Sequence, residues 1–543
     1  MPESFEKLTQ SYFDYLAKSF PVMCASDEFH FLPRAAAASG YYDRMESIDG
    51  LSIEEHIFVL KEFQKKFRLI GDVEGDLEKL TDLELLNSSI AGILIELDKN
   101  RSWVHNPLLY LKIASIGIDH AFTKPADSQR EVIERTLARL CAIPHLLKQA
   151  RCNLGLVPET YHQAALAMLN DCETYLGEME QAFAKEAAGR LSAAFEKARA
   201  ANADFRTFLL GVPRVRDRDF AVPSFEATLR VRFGSVRNLL EIFQIAVEEW
   251  FENLKELEKI QRDIAPDKSW KELYHGCNPE EAGSIDTITL YMREVERLKR
   301  FFKSNGFSGI ISQDLPLVCA TPVYLQSVRG SASFSAAFTR DSREKDFFYI
   351  TTQPLHRMGK KSHELLRKHL HREYKFLTAH ETFPGHYLLD STRRMLDNPV
   401  RSQIESPLFY EGWAYYVESL LTDYGYADRP IDRLIDHKRR LWRAARCQID
   451  IGLHTGKLLQ EDALKLLTTA GFNHGEAARQ ISHYRLNPGY QLCYSLGRFE
   501  ILELRKAYGG RIGHERFHRF LLHGGQLPFH LVEKRFSLEN AGA

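Results

Sequence analysis

Residues 380–388 read His-Glu-Thr-Phe-Pro-Gly-His-Tyr-Leu, nearly the H-E-x-x-H of a zinc hydrolase. Such enzymes place two histidines four residues apart, about 400° of helical turn, so that both rings face one metal ion. The glutamate beside the first histidine then acts as general base on the attacking water. His380 and Glu381 fit this scheme, but His386 lies six residues on, about 600° around a regular helix and off the shared face. Pro384 cannot donate to the carbonyl of residue 380, and its ring collides with that turn. The helix must therefore kink or bulge, and Gly385 tolerates the dihedrals this demands. The spacing predicts a bulged helix that swings His386 back toward His380.

A third ligand is offered by "LFYEGWAYYVESL", where Glu411, Tyr415 and Glu418 share a helix face at steps of four and three. An acid there, in an otherwise apolar and aromatic helix, is costly to bury unless it is paired or bound to a metal. His380, His386 and Glu411 would make a His-His-Glu set with one position open, the pattern of catalytic zinc. Glu418, two turns beyond Glu411, could orient a ligand histidine from outside the ligand set. Further on, "RLIDHKRRLWRAAR" places Arg439, Arg443 and Arg446 on one helix face. The plain expectation is a solvated face; the functional one is that Arg443 or Arg446 pairs with an acid near the metal or holds a substrate carboxylate.

These elements sit in a chain of 543 residues, larger than one core usually supports. Its 44% hydrophobic and 27% charged residues are the balance of a globular protein. A formal net charge of −1 gives no global field for nucleic acid or an anionic membrane, and the basic run lacks interleaved stacking aromatics. Neither partner is expected. "MPESFEKLTQSYFDYLAKSF" lacks the basic start and apolar stretch of a signal peptide, and no segment approaches the length that spans a bilayer. With eight scattered cysteines and no C-x-x-C, free thiols and a cytoplasmic location are expected.

Up to residue 305 helical segments follow one another, broken by stretches such as "KPADS" and "GVPRVRDRDFAVPS". One is an amphipathic helix carrying Leu239, Phe243, Ala246, Trp250, Leu254 and Leu257 on its core face. Composition shifts at "KSNGFSGIISQDLPLV", so the expected division is a helical N-terminal lobe, 1–305, and a catalytic lobe, 306–543. The one convincing β signal pairs "SVRGSASFSAAFT" with "FFYITT" across "RDSREKD", predicting a short hairpin or small sheet in a mainly α protein. Three Glu-x-x-His pairs (Glu159/His162, Glu272/His275, Glu515/His518) raise a di-iron alternative, at about the frequency chance would give. "PLHRMGKKS" ends like a P-loop but has Pro354 in place of the leading glycine.

"LTAHETFPGHYL", "EGWAYYVE", "DIGLH" and "NPGYQLCYSLG" resemble, in order and spacing, the motifs of domain-of-unknown-function family 885, bacterial proteins regarded as zinc metallopeptidases. "EGWAYY" is also similar to the E-G-F-A-x-Y element of the aminopeptidase N-like gluzincins. The resemblance covers residues 310–543 well and the helical lobe loosely, through "SWVHNPLLYLKIA". It implies a gluzincin-like lobe holding one zinc ion on His380, His386 and Glu411, with Glu381 as base. It further implies that Tyr494 donates to the oxyanion, that His454 contacts substrate, and that an edge strand beside the zinc helix binds substrate backbone. The chain departs from the family pattern at Tyr387, at His483-Tyr484 with Arg485 displaced, and at Tyr490-Gln491. Those departures bear on specificity and leave the ligands untouched.

The expected activity is zinc-dependent hydrolysis of a short peptide or related amide. A metallopeptidase fold kept as a non-catalytic scaffold is the alternative. Substrate identity and oligomeric state are not set by any of these features.

Overall fold

Helix starts follow from capping residues. Asn238 accepts from the Leu240 and Glu241 amides while Glu241 bonds back, a reciprocal box that opens the helix Leu239–Ile264. Asn473 with Glu476 opens His474–Arg485 in the same way, and Ser406 followed by Pro407 opens Pro407–Asp423. The computed structural model describes residues 4–70, 76–183, 188–279, 283, 285–311, 314–352 and 360–541. Most of the P-loop-like stretch lies outside them.

The protein is mainly α-helical with little sheet, as expected. Two-residue strands β1 (Val157–Pro158) and β2 (Arg214–Val215) pair in parallel. The second sheet holds β3 (Leu317–Ala320), β4 (Ala332–Ser335) and β5 (Phe347–Ile350) in the order β3-β5-β4. The hairpin is present as antiparallel β4 and β5, with Phe334 opposite Phe348. Strand β3, parallel to β5, is not foreshadowed by the sequence. Its residues are only partly buried or exposed, and Pro316 and Pro322 cut its apolar run short on both sides, so no alternation marks it as a strand.

A single hydrophobic core runs through both sides of residue 305. The helix Leu239–Ile264 packs along Pro430–His454, and Thr287–Ser304 packs on Lys360–Glu381. The buried face of Leu239–Ile264 is Ile242, Ala246, Trp250, Asn253, Leu257 and Ile260. Phe243 is 36% exposed, so the face is turned from the expected one. Packing against a neighbour that is itself charged selected the stripe with Asn253, which bonds His437 at 2.9 Å. Among the described residues no helix is long and apolar enough to cross a membrane.

Candidate metal centre

The HETFPGH segment is a break between two helices, not a bulge within one. Lys360–Glu381 ends at the glutamate, residues 382–385 turn, and His386–Arg394 begins at the second histidine. The Phe383–Pro384 peptide is cis. Gly385 matters for space: a Cβ there would lie 1.9 Å from the carbonyl oxygen of His380. The turn thus folds tightly over the end of the first helix. Trp413 holds it from the third helix, its Nε1 donating to the Pro384 carbonyl at 2.8 Å.

The result brings the His380 and His386 rings to 4.6 Å between centroids, nearly perpendicular. Glu411 meets both: its Oε2 lies 3.3 Å from His380 Nε2 and 3.6 Å from His386 Nε2. All three are buried, and their ligand atoms lie within 4.8 Å of one another. Glu411 Oε2 has no hydrogen-bond partner. A tetrahedral ion with ligand bonds of about 2.1 Å holds its ligand atoms roughly 3.4 Å apart. The orphaned oxygen lies at about this separation from both imidazole nitrogens, and the three groups form the donor set of a zinc site. Among the described residues this is the one such cluster found.

Each ligand is held by a second residue. His380 Nδ1 donates to Glu418 Oε1 at 2.8 Å, which leaves Nε2 to face Glu411. Tyr410 stacks on His386, with centroids 3.7 Å apart and planes 11° from parallel. Tyr490 donates its hydroxyl to Glu411 Oε1 at 2.5 Å, fixing the carboxylate so that Oε2 points at the imidazoles. Burial opposes ionisation of Glu411, but the two histidines beside it hold its carboxyl well below the usual range.

The basic face of Pro430–His454 is buried, contrary to the plain expectation of a solvated one. Arg439, Arg443 and Arg446 are 1%, 2% and 8% exposed. Arg439 donates to both oxygens of Glu418, at 2.9 and 3.1 Å, and Arg443 donates to Oε1 at 2.5 Å. Burial alone would raise the Glu418 carboxyl; the two guanidiniums overcome it and hold it well below the ordinary carboxylate range. Arg439 also binds Glu373, which accepts from Tyr274 as well. A buried chain of alternating charge thus runs from Glu373 through Arg439 and Glu418 to His380. Arg446 pairs with Gln491, one of the residues in which the chain departs from the family pattern.

Tyr494 reaches the centre because two helices touch at glycines. A Cβ on Gly412 would lie 2.5 Å from Gly497 Cα, so no side chain fits at this crossing of Pro407–Asp423 with Leu492–Leu504. Tyr494 lies on the latter helix, its ring 6.2 Å from that of His380 and 4.2 Å beneath the Arg446 guanidinium. Burial, with Glu411 nearby, pushes its hydroxyl well above the ordinary tyrosine value, so it remains an O–H donor. Glu381 is 8% exposed and makes no hydrogen bond or ion pair with the described residues. Strand β4 lies at the sheet edge, and its Phe334 meets Tyr387, next to His386.

Three further residues singled out in the sequence have partners of their own, and the Tyr484 ring lies 5.4 Å from the Arg446 guanidinium that also covers Tyr494. His454 lies 3.4 Å from Asp450 and near the Phe225 ring. Asp450 in turn accepts from the Gly489, Gln491 and Leu492 amides and so holds the loop that carries Tyr490. Tyr484 accepts from Trp442 Nε1 at 2.8 Å, and Arg485 faces Asp217 at 3.9 Å. The Glu-x-x-His pairs are separately engaged: His162 bonds Leu209, His275 bonds Gly471 and His518 bonds Tyr416. The parts played by Tyr410, Tyr490 and Glu373 are not evident from the sequence motifs. Glu373 carries a usable signal, since it precedes His380 by seven residues and so shares its face.

Two solved structures have the same fold. One, described as a candidate lipoprotein of unknown function from Shewanella oneidensis, aligns with a TM-score of 0.76 at 18% identity, over 98% of this chain and 99% of that one. The other, a candidate lipoprotein from Colwellia psychrerythraea, aligns with a TM-score of 0.75 at 16% identity, over 98% and 100%. No curated protein matches the sequence. The family model described as "Bacterial protein of unknown function (DUF885)" matches residues 33–536, and the chain belongs to that family.

Proposed function

We propose that this protein is a zinc-dependent hydrolase of short peptides or related amides. The observation that carries the reading is the partnerless Glu411 Oε2, set 3.3 and 3.6 Å from two imidazole nitrogens. His380, His386 and Glu411 would hold one zinc ion per chain. When bound, zinc supplies Lewis acidity, polarising a carbonyl and lowering the pKa of water.

The chain's own residues supply the rest. Glu381 follows a ligand histidine directly and is uncommitted among the described residues, so its carboxylate takes the proton of the attacking water and returns it to the leaving amine. Tyr494 donates its hydroxyl to the oxygen on which charge develops. Glu418, fixed by two arginines, keeps the His380 ring in the tautomer that presents Nε2. β4 offers an unpaired edge to an extended substrate backbone.

All eight cysteines are free, which suits a reducing compartment and supports a cytoplasmic location. Because the ligands are buried, access favours short substrates over folded chains. The zinc-reconstituted protein is expected to release new amino groups from pre-digested casein about tenfold faster or more than from intact casein. Release from neither contradicts the hydrolase reading.

A further inference from the structure

Beside the metal centre lies a cavity of about 160 Å³. Tyr490 forms part of its wall, so the cavity is one side chain away from Glu411. The opposite wall comes from the helical N-terminal half, through Glu28, Glu96, Asn100, Lys112 and Arg232. Gly489, in the Pro-Gly loop before Tyr490, closes against this half: a Cβ there would meet Leu229 at 3.2 Å and Phe233 at 3.4 Å. Its φ of +82° adds a second demand for glycine. The volume is below the roughly 300–1,000 Å³ of pockets that enclose drug-sized ligands. It suits one terminal group of a substrate and not an extended chain.

The charges in the wall are unevenly satisfied. Glu28 is taken by Lys112 at 2.7 Å and Arg329 at 2.6 Å. Glu96 accepts from Asn100 at 3.2 Å. Arg232 makes a single hydrogen bond among the described residues, from Nε to the His30 carbonyl at 3.3 Å, and no ion pair. Both of its terminal amino groups are uncommitted. Arg34, Arg393, Arg401, Arg439 and Arg443, in contrast, are all buried against carboxylates. Asn100 is linked to the Arg232 segment through Thr228, at 3.4 Å.

A free guanidinium fork in the wall of a small cavity matches a carboxylate. We infer that this cavity is the recognition chamber for the C-terminal residue of a short peptide or N-acyl amino acid, with Arg232 binding the free α-carboxylate. The inference rests on the hydrolase reading for the chemical step after binding, but binding itself can be measured without turnover. The substrate class is then one with a free carboxyl end, and amidated or internal segments are excluded from the chamber.

The test is retention of an equimolar tripeptide library on full-length Glu381→Gln protein, read by equilibrium ultrafiltration and mass spectrometry. The library is supplied as free acids, as C-terminal amides and as N-acetyl acids. Free and N-acetyl acids are expected to be retained about tenfold or more over the amides. Adding Arg232→Gln should remove that preference at an unchanged unfolding midpoint, while Arg232→Lys should keep part of it. Equal retention of acids and amides, retention of neither, a preference that survives Arg232→Gln, or loss on N-acetylation overturns the inference. Failure of the hydrolase reading shows elsewhere, as wild-type protein that turns over no peptide while still retaining free acids.

Discussion

Glu381→Gln is expected to lower kcat for peptide hydrolysis about 10²–10⁴-fold while leaving zinc content unchanged. The substitution keeps size and shape, and Glu381 makes no bond to the described residues whose loss could disturb the fold. What it removes is the capacity to take a proton. Zinc quantified beside steady-state rates separates this from ligand loss. A scaffold without catalytic function would show no difference between the two proteins.

Glu418→Ala is expected to have the second largest effect, and in two quantities at once. Glu418 is fully buried and accepts from His380, Arg439 and Arg443. Its removal leaves Arg443 without a carboxylate in the interior and Arg439 with Glu373 alone, which costs about 3–5 kcal/mol. It also frees the His380 ring to change tautomer and tilt, weakening zinc binding about 10–100-fold. Denaturant unfolding and a competition titration with a zinc chelator measure the two. If stability falls and zinc affinity does not, Glu418 is a structural counter-ion and has no part in orienting the ligand.

How far these residues are legible in the sequence depends on the kind of information that carries them. The steps from Glu411 to Glu418 are two helical turns, so their common face follows from the geometry of one element. The convergence of His380 and His386 can be anticipated because Pro384 forbids the regular helix that would separate them. The manner cannot: a break requires Gly385 to sit against the His380 carbonyl, a contact that spacing does not reveal. The arginine face misleads for a related reason. Whether Arg439 and Arg443 meet water or carboxylates depends on Glu418 and Glu373, which come from two other helices, and Arg446 meets the side-chain amide of Gln491. Tyr490 stands out as a departure from the family pattern, but its bond to Glu411 spans 79 residues and leaves no local trace. His454 shares a face with Asp450 as the spacing indicates, and Asp450 holds the loop that carries Tyr490.

The proposed chemistry stands on the geometry of three side chains. Zinc analysis of the purified full-length protein, wild type beside His386→Ala, tests that geometry most directly. The account predicts about one zinc per wild-type chain and none retained after dialysis by the variant, since two remaining ligands are too few for a stable site. Wild-type protein that stays free of metal when zinc is supplied, or His386→Ala protein that binds it equally well, would contradict the assignment of the HETFPGH turn as a metal-holding device.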